Sequence, residues 1–150
     1  MGLRDRFTEA MKEAMKSRQA QRLSAIRLIL AAVQERAIAT RVDALSEDEI
    51  LGLLGKMIKQ REESAATYES GGRPELAAGE RAEIAVIREF MPRQLSPEET
   101  RAAVAEVIAA TGATSLKDMG KVMAALKERH TGSMDFGKAG AAVKELLATK

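Results

Sequence analysis

Along this chain the apolar residues recur at three- and four-residue spacing, and no stretch alternates apolar with polar in the way a half-buried strand requires. Leu3, Phe7, Met11, Ala14 and Met15 form one such stripe, and Leu23, Ile26, Leu30, Val33 and Ala37 form a second. Ile50, Leu54, Met57, Ile58 and Ala65 continue the pattern, as do Leu116, Met119, Val122, Met123 and Leu126. Each stripe is one face of a helix seeking a core. The fold class that follows is all-α.

The helix ends carry their own chemistry. Ser46 with Glu49 and Ser96 with Glu99 have capping-box spacing, in which the hydroxyl accepts from the backbone N–H three residues on and the carboxylate reaches back. Ser115 with Asp118 repeats that spacing, and Asp135 is placed to cap a last helix. Pro97 suits a first helical position, where its missing N–H removes no bond. Gly71-Gly72, Gly112 and Gly132 mark helix stops. The helices predicted on these grounds span 2–17, 19–41, 46–70, 73–91, 97–110, 115–129 and 135–148. Pro92 and Pro97 each disfavour helix at the residue before them, with a cap between the two. Residues 1–91 therefore read as an N-terminal helical hairpin domain, 92–96 as a stiff linker, and 97–150 as a compact three-helix domain.

Composition then removes whole classes of function. The 150 residues include no Cys and one His, so neither a thiol nucleophile nor a multi-histidine metal cage can be assembled. Aromatics at 3% argue against base-stacking platforms. The charged N-terminus has no apolar run behind it, and no 18-residue apolar stretch occurs anywhere, so a cytoplasmic location without membrane contact is expected. Net charge is +2, but unevenly spread: residues 1–45 carry nine basic against five acidic residues, 46–96 seven against ten, and 97–150 eight against seven.

Several constellations are candidates for function. Arg22 and Arg27 on the second helix suit either phosphate contact or pairing with the acidic middle segment. Arg61 falls close to an apolar stripe, with Glu80 and Glu83 as its candidate partners across the Gly71-Gly72 turn. Such a link sets register more often than it does chemistry. In the C-terminal region Lys117, Lys121, Lys127 and Arg129, with Lys138 on the next helix, can form a basic patch around Gly120. A glycine inside a helix costs roughly 1 kcal/mol against alanine, and close approach by a helix or a nucleic-acid backbone is what usually justifies it. His130 has no Ser or Cys partner for catalysis and reads as a cation at a helix C-terminus.

In their order these motifs resemble the GatB/YqeY family. The resemblance is carried by Arg22-Leu23 with Ile26-Arg27-Leu28, Lys59-Gln60-Arg61-Glu62 with Ser64, and Gly72-Arg73 with Leu76. It continues through Glu80-Arg81-Ala82-Glu83-Ile84, Met91-Pro92-Arg93-Gln94-Leu95-Ser96 and Lys117-Asp118-Met119-Gly120-Lys121-Val122-Met123, followed by Gly132 and Asp135. Two departures are a turn lengthened by Ser133 and Met134 and a last helix rich in alanine. The resemblance implies that the C-terminal domain is similar to the tail of the B subunit of tRNA-dependent amidotransferase, which engages tRNA. It also implies the label of a carbon–nitrogen ligase with glutamine as amido donor, although neither a GxxxxGK[ST] phosphate loop nor a metal cluster is present in the sequence.

The function expected is thus that of an adaptor with no catalytic residues, cofactor or metal. Its partners would be tRNA, a tRNA-dependent amidotransferase or an aminoacyl-tRNA synthetase. The competing expectations are a helical protein-interaction module with no RNA contact, and a ligase of the kind the label names.

Overall fold

The computed structural model describes residues 2–149 and is all-helical, with no strand among them. Seven α-helices run in the order α1 (Leu3–Lys16), α2 (Ala20–Ala39), α3 (Glu47–Ser70), α4 (Pro74–Arg88), α5 (Pro97–Thr111), α6 (Met119–His130) and α7 (Phe136–Ala148). They gather into two compact units, Met1–Met91 and Pro92–Lys150.

In the first unit α1 folds back on α2, and α3 on α4, with α2 packed against both α3 and α4. Leu3, Phe7, Ala10 and Ala14 of α1 meet Ile26, Ile29 and Val33 of α2, Ile50, Leu54 and Met57 of α3, and Ile87 of α4. Met15, four residues after Met11, lies about 100° round the helix from buried Ala14 and is exposed. α1 begins at Gly2, which has no capping side chain, and Glu47 supplies the acceptor instead: its Oε1 takes the Leu3 N–H at 3.0 Å. Anionic groups are favoured at that end of a helix.

The α3–α4 hairpin turns at Gly72, whose φ of +74° is the left-handed geometry that glycine adopts without penalty. Near the turn the packing residues are small, Ala65 and Ala77, both buried. Ion pairs tie the two helices along their length: Arg81 to Glu69 at 2.6 Å, Arg61 to Glu83 at 2.8 Å and Arg88 to Glu62 at 2.9 Å. Arg61–Glu83 is the most enclosed of them, and Arg61 Nη1 also donates to the Met57 carbonyl at 3.3 Å. Glu80 makes no ion pair among the described residues. The helix predicted to 91 ends at Arg88, and Glu89, Phe90 and Met91 close tighter turns onto Val86, Ile87 and Arg88 before Pro92, which disfavours helix at Met91. That early end drops Phe90 into the core, edge-on to Phe7 at 4.9 Å between ring centroids. Arg6 stands over the Phe90 ring at 5.4 Å and donates to the Glu89 carbonyl, while Arg22 pairs with the Glu89 carboxylate.

In the second unit α5, α6 and α7 all touch one another around Val104, Val107, Ile108, Val122, Leu126, Ala139, Val143 and Leu147. Both predicted capping boxes form, Ser46 with Glu49 and Ser96 with Glu99. The Ser115–Asp118 box is present as well, but it heads a 3-10 turn and not an α-helix. Asp118 Oδ2 turns back to accept from the Thr114 N–H at 2.9 Å and the Ser115 N–H at 3.4 Å, so Leu116–Asp118 winds as a 3-10 turn before α6 begins. Leu116 is left exposed.

The segment before α5 is bonded into this second unit. Leu95 N–H donates to the Ser133 carbonyl at 2.8 Å, and the Gln94 amide donates to the Gly132 carbonyl at 2.7 Å. Ser133 and Met134, the residues that lengthen the α6–α7 turn, thus have structural work: one receives the entering chain and the other is buried in the core. Arg93 grips Glu99 through both guanidinium nitrogens, at 3.0 and 2.8 Å, while Glu99 also accepts from the Ser96 N–H.

The Arg93 guanidinium, followed by the Ser96 amide, pulls the Glu99 carboxyl down to about 2. A carboxylate depressed in the folded state stabilises it above its unfolded pKa and loses that contribution as pH falls through the folded value. Stability of the second unit is therefore expected to fall between about pH 4.5 and pH 2. Thermal melts of the wild type and Glu99→Gln across that window check this. The variant should start less stable and show a flatter pH dependence.

Candidate nucleic-acid interface

α6 carries Lys121, Lys127 and Arg129, and its phase decides which of them act together. Val122 and Leu126 are fully buried, with Met119 and Met123 partly so, which turns the opposite side to solvent. At about 100° per residue, Gly120, Lys121 and Ala124 fall on that outward side, with Lys127 at its edge beside Met123, while Lys117 precedes them in the 3-10 turn. All five are exposed. A Cβ added at Gly120 would meet nothing within 4 Å, so no helix of the chain uses the space that the missing side chain leaves. The glycine opens the exposed face itself.

Arg129 is exposed too, but it falls about 20° from the line of buried Val122, at the opposite edge of α6 from Lys127. Lys138 lies in the first turn of α7, two residues before Gly140, whose Cβ position is 3.8 Å from Met119 and 3.9 Å from Met123. Lys138 therefore departs on the side of α7 turned away from those methionines. Of the five candidate cations, Lys117 and Lys121 flank Gly120 and Lys127 stands at the edge of the same side, and none of the five forms an ion pair with a described residue.

Two acids modify this face. Glu128 lies seven residues after Lys121 on the same side, a spacing legible in the sequence, and lowers the local charge. Asp118 is committed inward: the Thr114 and Ser115 amides, with a smaller contribution from Lys121, hold its carboxyl below the usual range. The last turn of α6 holds Lys127, Arg129 and His130, the charge sign that the negative end of a helix dipole favours.

Elsewhere the candidates are occupied in holding the fold. Arg22 is joined to Glu89 and Arg61 to Glu83, while Arg27 is exposed and without an ion-pair partner among the described residues. Gln60, Glu63, Ser64, Thr67 and Tyr68 line a shallow open depression, all of them from α3. Among the described residues no three His, Asp or Glu side chains converge as a metal-binding set, and no helix is long and apolar enough to cross a membrane.

Comparison with known proteins adds two findings. Over 81 residues the chain is 28% identical to the protein called Altered inheritance of mitochondria protein 41, mitochondrial, from Saccharomyces cerevisiae strain YJM789, and equally to that of strain Lalvin EC1118. The aligned region covers 54% of this chain and 44% of each relative, so the chain matches less than half the length of either. A family profile described as "Yqey-like protein" matches residues 4–147, nearly the whole of both helical units. The chain belongs to the YqeY-like family.

Proposed function

We propose that this protein is an adaptor without catalysis of its own, which engages tRNA or a tRNA-handling enzyme through the outward face of α6. The observation that carries the reading is the set of exposed lysines Lys117, Lys121 and Lys127, without ion pairs to described residues, around an unfilled Gly120. Phosphate contact needs cations that are free and sterically accessible, and a bare backbone lets a phosphodiester chain come closer than any side chain would. With few aromatics to stack bases, recognition would rest on phosphates and helix shape. Arg129 and Lys138 stand outside the central contact and act as flanking charges at most.

Binding of tRNA by the full chain at low salt tests this reading. Lys117→Glu with Lys121→Glu is expected to weaken it at least about tenfold, since two attractive contacts become repulsive. Arg129→Glu or Lys138→Glu should cost clearly less. Gly120→Ala should make α6 more stable by roughly 0.5–1 kcal/mol while weakening RNA binding, a split that a purely structural glycine would not give. If all charge reversals cost the same, the α6 face is not the contact. The competing reading, a protein-interaction module, would gain from partners that survive nuclease treatment.

A further inference from the structure

The outer side of α2 has the character of a buried surface, yet it lies open. On α1 the exposed side is densely charged, with Arg4, Asp5, Glu9, Lys12, Glu13 and Lys16 all turned to solvent. α2 instead presents Leu28, 43% exposed, and Ile38, 69% exposed. Ser24, Leu28, Ala31, Glu35 and Ile38 follow the alternating four- and three-residue spacing of a helix–helix seam. This seam lies opposite the one formed by Ile26, Ile29 and Val33, which the core of the first unit already uses.

The charges on the open seam show what fits it. Arg27 and Glu35 are both exposed, and neither forms an ion pair with a described residue. They stand four residues before and four residues after Ala31, about 6 Å from it along the axis in opposite directions. A polyanion or an acidic helix would gain at Arg27 and lose at Glu35. A surface with the same two charges in reversed order gains at both.

We infer that this face joins two copies of the chain, α2 against α2, antiparallel about Ala31. In that arrangement the Arg27 of each copy comes level with Glu35 of the other, twice over, as an isologous interface requires. A parallel pairing would set arginine against arginine. Ala31 at the crossing lets the axes approach to about 8 Å, Leu28 of each copy packs beside the crossing, and Ile38 of each copy covers one end of the contact opposite Ser24 of the other. One pair of helices about 30 Å long buries less than the roughly 1,600 Å² of a standard interface, so the dimer dissociates in the micromolar range.

Sedimentation velocity on the full chain, from about 1 μM to about 500 μM, reads this association directly. The wild type should pass from monomer to dimer within that range, and Ala31→Arg should stay monomeric. Arg27→Glu and Glu35→Arg should each weaken self-association roughly tenfold, because every level pair then joins like charges. An equimolar mixture of those two variants should associate again, since its level pairs are all opposite in sign. These side chains are exposed, so thermal melts should be unchanged in all three variants. The inference is overturned if the wild type is monomeric throughout, if Ala31→Arg still dimerises, or if the mixture associates no better than its components.

Discussion

Truncating Leu126 to Ala is expected to destabilise the second unit by about 2–5 kcal/mol, the largest effect of any single change there. Leu126 has no exposed surface and stands at the centre of a core drawn from three helices. A unit spanning only Pro92–Lys150 holds a core of limited size, and such cores seldom supply more than about 3–5 kcal/mol. The substitution should therefore leave α5, α6 and α7 largely unfolded, with their amides losing protection from hydrogen exchange. Leu126→Met, which keeps the volume, should cost under about 1.5 kcal/mol. A loss below about 1 kcal/mol for the alanine variant would mean that Met119 and Met123 slide in to fill the space, as flexible thioethers can.

The second large effect is expected at Phe7. Its ring is fully buried and meets Phe90 edge-on at an interplanar angle of 78°. Phe7→Ala should cost about 3–5 kcal/mol through lost burial and a cavity, and loss of the aromatic pair adds about 0.5–1.5 kcal/mol beyond area alone. The damage should spread to the end of α4, because Phe90 anchors the stretch where Arg6 and Arg22 both engage Glu89. Chemical denaturation should show the midpoint moving sharply down, with Phe7→Leu intermediate. A Phe7→Ala variant as stable as Arg88→Ala, which removes only an exposed ion pair, would contradict the packing described for this unit.

What the sequence makes legible here is what local chemistry decides. The boxes at Ser46 and Ser96 form because cap and acceptor lie within one turn, and Asp135 caps α7 through the Gly137 and Lys138 amides for the same reason. Less legible is what depends on a choice between near neighbours. Glu80 and Glu83 are three residues apart on one helix, and either suits Arg61 by spacing. The choice of Glu83 follows from the α3–α4 register set by the turn at Gly72 and by packing that buries Ala65 and Ala77. The 3-10 turn at Leu116 is illegible for a similar reason, since a Ser–Asp box can head a 3-10 turn as readily as an α-helix.

The basic patch divides in the same way. Helix phase alone puts Gly120 and Lys121 on the outward side of α6, with Lys127 and Arg129 at its opposite edges, whereas Lys117 belongs to the 3-10 turn before the helix. Lys138 required the packing of Gly140 on Met119 and Met123, a contact between helices that no spacing reveals. The lengthened turn at Ser133 and Met134 could be seen in the sequence, but its partners Gln94 and Leu95 could not, being nearly forty residues away. An overall charge of +2 likewise concealed both the three exposed lysines and the Glu128 that moderates them.

The central claim, that α6 meets RNA through a small set of lysines, is tested most directly by the salt dependence of tRNA binding to the full chain. Three phosphate contacts should give a slope of about −2 to −3 in the logarithm of affinity against the logarithm of salt concentration. Lys117→Glu with Lys121→Glu should flatten that slope toward zero. A wild-type dissociation constant beyond about 1 mM at low salt, or a slope that the double variant leaves unchanged, would contradict it.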